Sequence, residues 1–438
     1  MTQKPVNIEA IIDEEIANYV DRCNRKSSTP FTIQSKHLSW MPKTDPRVAI
    51  IRAFYVFSNG NEVIEESRVI KQFIDYRSKR FPSSQKAALV ETKLLKAYYG
   101  AGARVPLVLD YSGDLWEKGV IMMENLGPLR PDEVFTPLSL KEKVEEAQYQ
   151  ESRVPLGVRQ LLDRALSVLD TFHTIGNRRN GRVARIVREI PSLPFGEKIR
   201  KSYRLLVAPY LNGELSNKDG YLSKNDEDEF LEDTKLLARF TQGKHQAIHR
   251  DINASHFIFA KGEKDARDTK NLCPTDASCS QEGYDDVLYI IDLGRSGAGP
   301  VEYDRAGLLF SNDLPVAVED ALDIYKDHYQ ITQKEEGYKI TRLICAGILK
   351  VLSASAYVNK MRVLHRPEFY TLSDRHPLYT DLSLYKNRMS KFMDILPHYA
   401  KRAGVDFNDI RDLESALDGV LLDSAIGLSI HKNRKVSS

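Results

Sequence analysis

Apolar residues recur at helical spacing over 8–25, then give way to β-branched and aromatic runs at 31–38, 47–57 and 67–74 that read as strands. Ser58-Asn59-Gly60-Asn61 supplies a hairpin signal between the second and third runs, because Asn and Gly accept the backbone angles of a tight turn. From 84 to 99 the period is helical and stops at Gly100 and Gly102; two more strand candidates follow, at 105–110 and 119–124. Beyond these the chain reads mostly as helix, at 158–173, 227–242, 316–329, 338–360 and 381–402. Two short strands, 256–260 and 287–292, bracket a polar loop at 261–286. No internal repeat or heptad run interrupts this order. The pattern predicts an α+β protein, β-rich in its first third and mostly helical afterwards.

Composition narrows the picture. A chain of 438 residues exceeds one average domain, and 63 basic against 61 acidic residues give a net charge of only +2. That balance excludes a nucleic-acid binder of the uniformly basic kind. Charge is uneven, however: within 177–206 stand Arg178, Arg179, Arg182, Arg185, Arg188, Lys198, Arg200, Lys201 and Arg204, against only Glu189 and Glu197. Such a run is usually a solvated face; its functional reading is a cradle for phosphates or a membrane surface. The four cysteines, Cys23, Cys273, Cys279 and Cys345, form neither a zinc pattern nor a disulfide framework, which points to a reducing compartment. No apolar stretch approaches the length of a membrane span, and the polar first eight residues lack a signal-peptide core. The expectation is a cytoplasmic protein, with peripheral contact at the inner face of a membrane through 177–206.

The chemistry concentrates in His249-Arg250-Asp251-Ile252-Asn253-Ala254-Ser255-His256-Phe257, followed by Leu288-Tyr289-Ile290-Ile291-Asp292-Leu293-Gly294. One carboxylate to orient an attacking hydroxyl, then a second with a neighbour to hold metal ions, is the equipment of phosphoryl transfer from ATP. Asp251 is the candidate for the first role. Asp292, at the end of an apolar strand where an unpaired carboxylate would be costly, is the candidate metal ligand. His256 stands five residues after Asp251, where protein kinases carry a metal-binding Asn. An imidazole nitrogen also ligates divalent ions, although hard magnesium prefers oxygen. A core histidine satisfied by a backbone carbonyl is its bland alternative.

This series, His-Arg-Asp with His five residues later and then Ile-Asp-Leu, resembles the lipopolysaccharide core heptose kinase family, within the protein-kinase-like superfamily that also holds the aminoglycoside phosphotransferases. The match is specific at these two motifs and does not cover the chain ends or insertions. The resemblance implies a protein-kinase-like two-lobe fold with ATP and Mg2+ (or Mn2+) as cofactors. The acceptor it implies is a hydroxyl of a sugar or lipid-linked glycan. Its implied division of the chain is an N-terminal extension at 1–30, an N-lobe at 31–126, a C-lobe at 127–330 with the polar insertion 261–286, and a C-terminal helical part at 331–438.

The kinase parts list then gives meaning to residues that alone would be unremarkable. Lys71, in Arg68-Val69-Ile70-Lys71, falls where a strand lysine contacts the α- and β-phosphates, and Glu91, twenty residues on in a helix, falls where an acid fixes that lysine. Glu124 and Leu126 follow the apolar run 120–123 and occupy the place of a hinge whose backbone recognises adenine. No glycine-rich loop separates the first two strands; Ser39-Trp40-Met41-Pro42-Lys43-Thr44-Asp45 stands there, which argues against an ordinary protein kinase. Asp304 is read as structural support for the Asp251 loop. Only twelve positions separate it from Asp292, too few for a peptide-holding platform. Two alternatives stay open: an aminoglycoside- or choline-type small-molecule kinase, and a pseudokinase that binds nucleotide without catalysis.

Overall fold

The computed structural model describes residues 7–25, 28–41, 47–74, 81–127, 139–147, 156–179, 181–190, 195–212, 224–241, 246–261, 286–311, 314, 316–364, 377–418 and 420. The chain divides into two compact units, the first built from 1–143, 167–191 and 255–297, the second from 144–166, 192–254 and 298–438. The α+β class read from the sequence is the class observed.

In the first unit α1 (Ile8–Asn24) is followed by β1 (Thr32–Met41), β2 (Val48–Ser58), β3 (Val63–Phe73), α2 (Ser84–Gly100) and β4 (Val120–Glu124). The strands form one antiparallel sheet in the order β1-β2-β3-β4. The hairpin after β2 falls where Asn and Gly predict it, with the Asn59 side chain accepting hydrogen bonds from the amides of Asn61 and Glu62. This lets β3 begin at Val63, four residues before the predicted start.

Side chains alternate across a pleated strand, so the register assigns two faces. Ile51, Ile70 and Met122 align across the sheet and share one core with Ile8, Ile12 and Ile16 of α1. The Asn7 side chain caps α1 at the amide of Ala10. Glu15, fully buried in the same helix, accepts from the amides of Tyr111 and Ser112, so its charge is hydrogen-bonded rather than stranded. The other face carries Ile50, Arg52, Val69, Lys71 and Met123.

The run 105–110 is not a strand. It touches β4 through a single bridge, Val108 to Met123, with hydrogen bonds from Leu109 N to Met122 O and from Glu124 N to Leu107 O. Pro106 has no amide hydrogen to extend the ladder. Tyr98 of α2 stacks on Phe172, with ring centroids 4.0 Å apart.

Of the remaining helices, α3 is Leu140–Glu146, α4 (Leu156–Gly176) contributes to both units, and α5 (Arg182–Glu189) belongs to the first. The second unit holds α6 (Phe195–Asn212), α7 (Lys224–Asp233), α8 (Lys235–Thr241) and the short strand β5 (Gln246–Ile248). The helix expected at 227–242 is therefore two, broken at Thr234, whose hydroxyl bonds to Phe230 O while Leu237 N reaches only three residues back. Further along come α9 (Val301–Leu309), α10 (Val318–His328), α11 (Gln333–Leu364) and the helix Pro377–Arg402. α11 is the hub, packing on α6, α8, α9 and that last helix. Buried Cys345 sits within it, and burial pushes its thiol up to about 12, so it is chemically quiet. Cys273 and Cys279 fall outside the described residues. Among the described residues no helix is long and apolar enough to cross a membrane.

In the first unit β6 (Phe257–Lys261) and β7 (Asp286–Ile290) pair antiparallel, with Phe257 opposite Ile290. Both strands read at 256–260 and 287–292 are present, but His256 and Asp292 lie just outside them. The insertion between these strands, at 262–285, falls outside the described residues.

Candidate active site

The register of β3 sets Lys71 opposite Ile50 and Ile121, on the sheet face away from α1. α2 brings Glu91 to it: both carboxylate oxygens of Glu91 accept from Lys71 Nζ at 2.9 Å, and Glu91 is 1 % exposed. Asp292 Oδ1 takes a third hydrogen bond from the same ammonium at 2.6 Å. Burial opposes the charge on Lys71, but attraction to Asp292 and Glu91 outweighs it and holds its pKa above the ordinary lysine value.

Asp292 follows β7 in the left-handed region, φ 63° and ψ 56°, a conformation Asp adopts more readily than most residues. Two residues on, Gly294 presses against the ion pair. A Cβ there would lie 2.8 Å from Glu91 Oε2, so glycine is what lets the segment close over Glu91.

The second oxygen of Asp292 faces His256, with Nε2 and Oδ2 3.9 Å apart. Asp292 Oδ2 and His256 Nε2 would be the protein's donors to a divalent ion, the carboxylate oxygen suiting magnesium and the imidazole nitrogen better suiting the softer manganese. Among the described residues no group of three or more metal-ligating side chains is gathered, so the other ligands would be phosphate oxygens and water. The residues fit the metal implied by the sequence as a partial donor set.

In the second unit, β5 runs into the loop that begins at His249. Asp304 of α9, completely buried, accepts from His249 N at 2.6 Å and from Arg250 N at 2.8 Å. This is the supporting role expected of it. Arg250 sits at φ 70°, a strained conformation for a bulky residue, and is held there from both sides of its peptide. Lys350 of α11 donates to Arg250 O at 3.1 Å and to Ile252 O at 3.4 Å, gripping the residues on either side of Asp251. Gly307 makes room for this grip: a Cβ would meet Ile252 O at 2.4 Å and Lys350 Nζ at 2.7 Å. Tyr303 lies beneath, its ring 4.2 Å from Lys350 Nζ and 4.1 Å from Lys198 Nζ.

Thus Lys71, Glu91, Asp292 and His256, scattered in sequence, form one cluster in the first unit. Asp251 belongs to the second, and the chain crosses from one to the other between Ala254 and Ser255. Glu124 ends β4 with its side chain engaged, accepting from Leu107 N at 2.8 Å. Leu126 lies in the bend that follows, a segment ordered by the Asn125 side chain, which bonds Ser67 Oγ and Gly127 N.

The basic stretch is not uniform. In α6, Arg200 pairs with Glu197 and Asp228, and Arg204 with Glu227, so acids of α7 offset part of it. In α5, Arg182, Arg185 and Arg188 are exposed while Val183, Ile186 and Val187 are buried.

Sequence reading overlooked Gly294 and Lys350. Gly294 was within the motif itself, and only its closeness to Glu91 gives it meaning. For Lys350 a signal existed, a lone cation inside the apolar run Ile348-Leu349-Lys350-Val351-Leu352.

No protein-family model matches the sequence, and no curated protein matches it either. Solved structures similar to it are choline/ethanolamine kinase and aminoglycoside phosphotransferase family members. An ethanolamine kinase of Plasmodium vivax is 13 % identical, with 84 % of each chain covered and a TM-score of 0.47. A choline/ethanolamine kinase family protein from Mesorhizobium loti is 10 % identical over 86 % of this chain and 92 % of its own, at 0.45. A spectinomycin phosphotransferase in complex with ADP and spectinomycin is 12 % identical over the same shares, at 0.40. Scores below 0.5 leave the functional argument to the chain's own residues.

Proposed function

We propose that this chain transfers the terminal phosphoryl group of ATP to a hydroxyl group, with a sugar or lipid-linked glycan as acceptor. One observation carries the reading: a buried lysine held by two carboxylates from distant parts of the sequence, Glu91 and Asp292, in a chain whose Asp251 stands in a His-Arg-Asp loop. Buried ion pairs contribute little net stability, so a buried Lys71–Glu91 pair joined by the partly exposed carboxylate of Asp292 is better explained by a ligand it serves.

In this reading Lys71 binds the α- and β-phosphates, and Glu91 aims its ammonium. Part of the Lys71–Asp292 contact gives way to phosphate oxygens as nucleotide enters. Asp292 and His256 would hold the Mg2+ or Mn2+ ion, which when bound neutralises charge on the phosphates. Asp251 orients the acceptor hydroxyl and takes its proton late, since an alcohol is far too weak an acid to be deprotonated beforehand. Asp304 and Lys350 fix the backbone on both sides of Asp251, so that its carboxylate is already aimed before the acceptor arrives. The backbone of Glu124 and Leu126 takes the base.

The glycan acceptor rests on the resemblance of the His249–Phe257 and Leu288–Gly294 segments to the heptose kinases, and on the twelve-position interval to Asp304. The test is ATP turnover by the full chain against lipid-linked glycans, amino alcohols and aminoglycosides, with Asp251→Asn in parallel. The expected result is glycan-dependent ADP release, lowered by orders of magnitude in Asp251→Asn while nucleotide affinity stays nearly unchanged. Turnover with only the amino compounds selects the small-molecule kinase reading. Nucleotide binding without turnover on any acceptor selects the pseudokinase.

A further inference from the structure

We infer that Arg52 is a second phosphate-binding cation of the nucleotide site, contacting the phosphate nearest the nucleoside. The inference rests on the nucleotide reading above. β2 pairs Ile50 with Lys71 and Arg52 with Val69, so Arg52 and Lys71 share a sheet face, two residues apart along the strands. That step is about 7 Å, directed toward the end where Arg68 pairs with Glu124. A nucleotide with phosphates on Lys71 and base at Glu124–Leu126 runs in this direction. Arg52 lies between the two ends.

Its chemical state supports the assignment. Arg52 is half-buried, its Nε has no hydrogen-bond partner, and among the described residues no carboxylate pairs with it. Burial alone pushes its pKa down, as expected of a cation that nothing compensates. Arg68, on the opposite face, is the contrast: its Nε has no partner either, but its terminal nitrogens pair with Glu66 and with the Tyr111 hydroxyl. Desolvating a guanidinium without a partner is costly, and a planar fork of donors suits a phosphate group.

Charge balance creates the need. Lys71 carries one positive charge against the two negative charges of Glu91 and Asp292, so apart from a metal ion the trio is net negative, and a triphosphate brings more negative charge than one divalent ion offsets. Arg52 supplies a side-chain cation on the same sheet face as Lys71.

The experiment is competition of adenosine, AMP, ADP and a non-hydrolysable ATP analogue against a fluorescent ATP analogue. It uses the full chain with Mg2+, comparing wild type, Arg52→Met, Arg52→Gln and Arg52→Lys. Arg52→Met and Arg52→Gln should each weaken AMP, ADP and the ATP analogue by a similar factor, about 10- to 100-fold, and leave adenosine unchanged. Arg52→Lys should recover part of the loss. Thermal melting should show both neutral variants folded, at or above the wild-type Tm, because an unpaired half-buried charge has been removed. An equal loss for adenosine overturns the inference in favour of stacking on the base. Unchanged affinity for all four overturns it in favour of a solvated cation, with the nucleotide reading intact. A wild-type chain that binds none of the four removes the nucleotide reading and this inference together.

Discussion

Replacing Lys71 by Met keeps most of the side-chain volume and removes the charge, so the consequence is set by what stays behind. Glu91 remains at 1 % exposure, with Gly294 packed too closely for a side chain to intervene. Asp292 is 29 % exposed at its side chain and keeps access to water; Glu91 does not. Breaking a buried pair by removing one partner costs about 3–5 kcal/mol. For a unit of this size that is a fall in Tm of roughly 6–20 °C. The double variant Lys71→Met/Glu91→Leu removes the stranded charge as well and should return to within about 1 kcal/mol of wild type, because an apolar pair of similar volume replaces a buried ion pair at little cost. Both variants should lose nucleotide affinity. Urea denaturation gives the stabilities and calorimetry with a non-hydrolysable ATP analogue gives the affinities. A single variant that loses less than about 1 kcal/mol, or a double variant as damaged as the single, would refute the buried-pair account. Stability restored together with nucleotide affinity would refute the role of Lys71 in binding. The pH dependence has a definite sign. A lysine with a raised folded pKa contributes its full stability below about 10.5, its unfolded value, and loses it only as pH climbs through the higher folded value. Activity between pH 6 and 9 should therefore show no limb that Lys71→Met abolishes.

Three further outcomes can be checked. His256→Asn should retain substantial activity with magnesium by restoring an oxygen ligand, while His256→Ala should be poor with magnesium and with manganese; normal turnover by the alanine variant at saturating magnesium would make His256 a packing residue. Gly294→Ala forces a methyl to within 2.8 Å of Glu91 Oε2 and should weaken nucleotide binding several-fold through the displaced pair, measured by the same calorimetry; unchanged affinity would mean the segment yields freely. Lys350→Met should lower kcat about 10-fold or more with nucleotide Kd unchanged, since it grips the peptides beside Asp251 rather than the cluster around Lys71; equal effects on both would assign it to general stability.

By itself the sequence determined the α+β class, most strands of the first unit and the two contiguous motifs, 249–257 and 288–294. Strand periodicity, the Asn-Gly turn and the helical run after residue 84 are local signals, set by backbone sterics and side-chain alternation, and they reappear as β1 to β4 and α2. His256 and Asp292 were legible because their motifs are contiguous. Pro106, which denies the run 105–110 a full ladder, was also visible but was outweighed by the apolar pattern around it. Only the tertiary structure decided which residues meet. The 221 positions between Lys71 and Asp292 are closed by sheet register and the β6–β7 pairing, which no window of local sequence contains. The same holds for Lys350, 100 positions from Arg250, and for Glu15, whose buried charge is satisfied by backbone amides 96 and 97 positions away. A residue's burial and its charge partners are properties of the packed chain, because desolvation and Coulomb attraction act over distances in space and not along the sequence. That is why Arg52 and Arg68, both arginines in strands of one sheet, read alike in the sequence, while only one of them is paired in the fold.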